Sequence, residues 1–122
     1  MPALVVAALA AAVTGAMFLL RPRRVVVAGR SMEPTLEAGD RLLVARAGQL
    51  KAGDVVALRD PRSKERVIVK RVSAVRRGEV VVRGDNPPAS VDSRFFGPVP
   101  NRDVLGRVVR RYAPAARAGP VR

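Results

Sequence analysis

A chain of 122 residues has room for one compact domain and little more. Its 23 Lys+Arg outweigh 10 Asp+Glu, a formal charge of +13, and it contains no His, Cys or Trp. That composition excludes a Ser-His-Asp triad, a thiol nucleophile, a disulfide framework and any His/Cys zinc site.

Residues 3–20 carry no charge, and Thr14 is their one clearly polar side chain. As a helix they would be roughly 27 Å long, close to the hydrocarbon thickness of a bilayer. A cleavable signal peptide normally has a basic start and a small-residue cleavage site. Here no basic side chain precedes the apolar run, and Arg21, Arg23 and Arg24 follow it. Residues 1–24 are therefore expected to form a retained transmembrane anchor with a basic flank. By the positive-inside rule, those three arginines argue for a cytoplasmic domain.

After the anchor the chain reads as short strands separated by turns. Strand-like runs fall at 25–27, 41–46, 54–59, 66–75, 79–83 and 104–112. Gly39-Asp40, Gly53-Asp54, Asp60-Pro61, Gly84-Asp85-Asn86-Pro87-Pro88 and Gly97-Pro98 punctuate them. This spacing predicts a β-barrel or folded sheet, with a hairpin turn at Arg76-Arg77-Gly78-Glu79. No amphipathic helix of useful length follows residue 24. Residues 113–122, made of Ala, Pro, Gly, Arg, Val and Tyr-free sequence, are expected to be disordered.

Ser31 follows the first strand, and Pro34 biases Glu33 away from helix, which places Ser31 on an irregular loop. With His absent, its hydroxyl would need a carboxylate, Tyr112 or a neutral lysine as base. Taken alone, Ser31 fits an ordinary turn serine. Lys70 raises the stakes. Strand alternation puts it on the face of Ile68, Val72 and Ala74, where burial lowers an amine's pKa. Arginine cannot serve as a base in this way, and the chain uses 20 Arg but only Lys51, Lys64 and Lys70. A lysine snorkelling to the sheet edge explains the strand equally well.

Four blocks occur in one order: Ser31-Met32-x-Pro34-Thr35-Leu36, Gly39-Asp40-Arg41-Leu42-Leu43-Val44, Lys70-Arg71-Val72, and Gly84-Asp85-Asn86 running through Ser90-x-Asp92-Ser93-Arg94 to Phe96-Gly97-Pro98-Val99. Together they resemble the type I signal peptidase family over about residues 25–112. The resemblance implies a mainly β, LexA-like catalytic domain over 25–112 behind one transmembrane helix. It implies a serine endopeptidase with Ser31 as nucleophile and Lys70 as general base. Ser90 would orient the amine, its hydroxyl serving as the donor that fixes the aim. Asp92 and Arg94 would pair in support of that loop, and Asp85 and Asn86 would shape the loop beneath the site. One oxyanion donor would be the Ser31 N–H. Some members place a hydroxyl two residues earlier, where this chain has Gly29.

No cofactor and no metal is implied. The expected partners are a polypeptide with small residues before the cleaved bond and anionic lipid headgroups, with no specific nucleic acid. Against nucleic acid stand the near absence of aromatics and the scatter of the arginines. A noncatalytic basic β-domain on a membrane surface is a third reading. Removal of signal peptides from secreted precursors would put the domain outside the cytoplasmic membrane. A related branch, the maturation protease of nickel-type superoxide dismutase, would keep it on the cytoplasmic side. The long Asp92-to-Pro98 block favours signal-peptide removal and the extracytoplasmic placement.

Overall fold

The computed structural model describes residues 23–122, so the expected anchor lies almost wholly outside the described residues. Among them, no helix is long and apolar enough to cross a membrane. Eight strands form one antiparallel sheet. They are β1 (Arg23–Val26), β2 (Arg41–Ala45), β3 (Val55–Asp60), β4 (Ser63–Arg76), β5 (Glu79–Arg83), β6 (Val99–Pro100), β7 (Val104–Ala113) and β8 (Gly119–Pro120). The strand order is β1-β2-β7-β3-β4-β5-β6, with β8 added to β7. One helical turn, α1 (Ser93–Phe96), precedes β6.

The alternation in each strand explains its place. Leu42 and Val44 of β2 are buried while Arg41 is exposed, the pattern of a strand with one covered face. In β3 every residue except Arg59 is buried, which requires cover on both faces. Val55 and Ala57 join one aliphatic cluster with Met32, Leu36, Leu42, Val44 and Val69. Val56 and Leu58 point the other way, into a second cluster with Val72, Val80, Val82 and Val99. The sheet therefore folds around two small cores that share β3.

Two hairpins position β4. Asp60 pairs with Ser63 across Pro61-Arg62, so β4 begins three residues before the expected start at Arg66. Arg76 pairs with Glu79 across Arg77-Gly78, the turn read from the sequence. Gly78 adopts φ 76° there, a conformation that costs a side-chain-bearing residue more than glycine. β1 covers 23–26 rather than 25–27, and the short strands β6 and β8 have no counterpart in the sequence reading.

The tail differs most from expectation. Residues 115–117 form a 3-10 turn and Gly119 pairs with Arg111. Val121 packs against the first core. Arg117 reaches the buried Asp40 and bonds Glu37 at 3.0 Å. The disordered tail expected over 113–122 is thus an ordered strap. Low hydrophobicity argued for disorder, but backbone pairing and two arginine contacts hold the segment without a large apolar surface.

Candidate active site

Ser31 stands at the head of a loop pinned from inside. Met32 and Leu36 are buried, and Leu36 N–H donates to the Met32 carbonyl at 2.9 Å. This turn points both apolar side chains into the first core and leaves Ser31 half-buried on a cavity of about 380 Å³. Lys70 lines the same cavity from β4. It lies opposite Val56 of β3 and is 4% exposed, so the lysine does not snorkel to solvent.

Lys70 Nζ donates to Ser90 Oγ at 3.1 Å, and Ser90 Oγ donates to Asp92 Oδ2 at 2.7 Å. A hydroxyl has one proton. Because Ser90 gives its proton to the carboxylate, it can only accept from the amine. The polarity is the reverse of the donor role read from the sequence, and it has a chemical consequence. One amine N–H is tethered to Ser90, so the lone pair of the neutral form is directed elsewhere. Among the described residues no hydrogen bond joins Ser31 Oγ to Lys70 Nζ; catalytic hydrogen bonds often tighten only when substrate is bound.

Asp92 is fully buried and well provided with donors. Gly84 N–H reaches Oδ2 at 2.9 Å and Arg94 Nε reaches Oδ1 at 2.9 Å. Although burial works against its charge, the Arg94 and Ser90 side chains and the Gly84 and Arg94 N–H groups hold its carboxyl well below the usual range. Asp92 also caps α1 by accepting from the Arg94 N–H. Burial pushes the Lys70 amine below the ordinary lysine value; the Asp92 charge opposes that shift and the Arg62 charge adds to it.

Asp85 and Asn86 hold the Ser31 loop from two sides. Asn86 N–H donates to the Ser31 carbonyl at 2.8 Å, and its side-chain amide donates to the Arg30 carbonyl at 3.0 Å. Asp85 accepts from Thr35 Oγ1 at 2.6 Å and from Arg71 Nε and Nη2 at 2.9 and 2.8 Å. Arg71 is the neighbour of Lys70 on β4, so Asp85 ties the Ser31 loop to the strand that carries Lys70. All seven residues singled out in the sequence are brought to one region.

Several others went unassigned. A Cβ on Gly84 would lie 2.5 Å from Ser90 Cβ and 2.6 Å from the Ser31 carbonyl oxygen, so only glycine fits between the two. Arg111 donates to the Thr35 carbonyl at 3.0 Å and to Asp40 at 3.0 Å. Asp60 gathers Arg62 and Arg66 at the cavity mouth. Gly84, Asp40 and Arg71 stood inside the quoted blocks, and their buried neighbours on other strands were the missing signal. Among the described residues no group of His, Cys, Asp or Glu is placed to hold a metal.

A mainly β domain that presents a serine and a buried lysine to one cavity has the layout of a peptidase of the signal-peptide-processing type. The chain belongs to the signal peptidase family, peptidase S26, which matches residues 1–76 and 72–113. It is 35% identical to mitochondrial ATP-independent inner membrane protease subunit 1a of Arabidopsis thaliana, over 79% of this chain and 73% of that one. It is 30% identical to mitochondrial inner membrane protease subunit 1 of Xenopus tropicalis, over 80% and 73%. With subunit 2 of the Schizosaccharomyces pombe protease the figures are 33%, 76% and 66%.

Proposed function

We propose that this protein is a membrane-anchored serine endopeptidase that removes signal peptides from precursor proteins, with Ser31 as nucleophile and Lys70 as general base. The observation that carries the reading is the Lys70 amine. It is buried, shifted toward its neutral form and tethered through a single N–H to a hydroxyl locked on Asp92. A solvated structural lysine needs none of these.

In the proposed reaction neutral Lys70 takes the Ser31 Oγ proton as Oγ attacks the carbonyl carbon of the scissile bond. The Ser31 N–H, which donates to no backbone carbonyl among the described residues, stabilises the oxyanion. Lys70 then returns the proton to the departing amine, leaving an acyl ester on Ser31. A water deprotonated by Lys70 attacks that ester and frees the serine. Ser90 contacts the Lys70 amine itself, while Asp92 and Arg94 act behind Ser90; together they hold the amine in place.

The anchor is assigned to residues 3–20, the domain to the outer face of the membrane, and anionic headgroups to the basic surface. That the relatives are named inner membrane proteases supports membrane association. The test is to incubate the full chain in detergent with a signal-sequence precursor and to map the new N-termini. Cleavage after small residues is expected for wild type and is lost in Ser31→Ala and Lys70→Arg, both still folded. Near wild-type turnover in either variant would overturn the assignment.

A further inference from the structure

The cavity that holds Ser31 and Lys70 carries three guanidinium side chains, Arg30, Arg62 and Arg66, and no carboxylate lines it among the described residues. Arg62 and Arg66 stand on the β3–β4 hairpin and share one buried anion. Asp60 accepts from Arg62 through the backbone N–H at 2.9 Å, Nε at 3.0 Å and Nη2 at 3.0 Å. It accepts from Arg66 through Nε at 3.0 Å and Nη2 at 2.8 Å. The Asp60 side chain is fully buried, while Arg62 and Arg66 are 44% and 59% exposed.

That arrangement is more than a hairpin needs. A two-residue turn closes without side-chain ion pairs, and one guanidinium suffices to neutralise one buried carboxylate. Two guanidiniums on one carboxylate leave an excess positive charge on the cavity wall. Each keeps Nη1 free of any partner among the described residues, while its other nitrogens are fixed on Asp60. The result is a pair of oriented donors with little left to order when a ligand arrives, which suits planar recognition of a second carboxylate.

From this, and resting on the peptidase reading above, we infer that Arg62 and Arg66 form a subsite for an acidic side chain of the substrate polypeptide. Its distance from the bond follows from strand geometry. Arg66 precedes Lys70 by four residues on β4 and shares its face, so at about 3.3 Å per residue it lies roughly 13 Å away along the strand. An extended substrate beside β4 places there a side chain about four residues from the scissile bond.

The test uses the full chain in detergent and a set of precursor peptides that differ at one position, Asp, Asn or Lys, scanned three to five residues to either side of the bond. The expected result is a peak in the Asp/Asn ratio of kcat/KM at one position, about fivefold, the order for a partly exposed ion pair. The Lys peptide is poorer than the Asn peptide there, and the preference fades with added salt. In Arg66→Gln and in Arg62→Gln the ratio falls toward one, and Arg66→Lys restores part of it. Because the ratio is taken within one protein, general damage to the fold cancels. Equal cleavage of Asp and Asn peptides at every position would overturn the inference alone, as would a preference that survives Arg62→Gln/Arg66→Gln. If wild type cleaves none of the peptides, the peptidase reading falls and the inference with it.

Discussion

Replacing Gly84 with alanine adds one methyl at the point where the nucleophile loop and the base-orienting residue meet. That methyl would sit 2.6 Å from the Ser31 carbonyl oxygen and 2.5 Å from Ser90 Cβ, where ordinary contact begins at 3.4 Å. The Ser31 carbonyl must therefore retreat by about 0.8 Å, and Ser90 by about 0.9 Å at Cβ and further at Oγ, which the methyl also meets. Neither can move freely, because Asn86 holds the Ser31 carbonyl and Asp92 holds the Ser90 hydroxyl. Misplacement of a reacting group by about 1 Å costs on the order of 100-fold in rate, and overpacking one methylene costs about 1–3 kcal/mol in stability. Gly84→Ala is thus expected to lose about 100-fold in kcat, with a melting temperature about 10 °C lower. Steady-state kinetics on a signal-sequence peptide, with thermal unfolding of the same preparation, measures both. An alanine variant with wild-type kcat would refute the argument that Gly84 sets the spacing between Ser31 and Ser90.

In the proposed mechanism catalysis requires neutral Lys70, and burial lowers its pKa, so kcat/KM should rise with pH and level off below the ordinary lysine value of about 10.4. Arg62→Gln removes a cation that favours the neutral amine, so the rise should move to higher pH; a profile flat from about pH 5 to about pH 9 would contradict a lysine base. Lys70→Met should be inactive yet more stable. A folded pKa below the unfolded one means that the unfolded state binds the proton more tightly at neutral pH, a cost that methionine removes. A gain of about 5 °C in melting temperature is expected, and a loss would show that Lys70 supports the fold. Asp60, lowered to about 2, works in the opposite sense. Its stabilisation is complete above its unfolded value near 4 and should vanish between about pH 4 and pH 2, as acid titration followed by circular dichroism would show. For topology, Arg77→Cys in the exposed β4–β5 turn should react with an impermeant thiol reagent on intact cells; reaction only after lysis would place the domain on the cytoplasmic side.

The parts of this molecule that were legible in the sequence are those governed by local pattern. Alternation in β4 put Lys70 with Ile68 and Val72, and it lies opposite Val56 in the sheet. The Arg77-Gly78 turn announced its hairpin through a residue able to take positive φ. The parts that were not legible depend on burial and on neighbours brought together only by the fold. Whether Ser90 donates to Lys70 or accepts from it is decided by Asp92, two residues on, whose own demand for protons is set by burial. Gly84 looks like any turn glycine until the Ser31 carbonyl is brought against it. The tail was misjudged for the same reason, because the anion that holds Arg117 belongs to a turn 77 residues earlier.

That last contact bears on when the protein can become active as it is made. The loop behind Ser31 receives three of its hydrogen bonds from the C-terminal end of the chain: Arg111 on the Thr35 carbonyl, and Arg111 and Arg117 on Asp40. A ribosome that has just finished residue 40 must add 77 more before Arg117 exists, about 4–15 s of synthesis at 5–20 residues per second. Until the last few residues of that interval Ser31 rides on a loop whose buried aspartate has no guanidinium from β7 or the strap to meet. Ser31, the proposed nucleophile, is therefore synthesised early in the chain and its loop is among the last parts of the site to be fixed. A protease wired in this way spends its own translation unarmed.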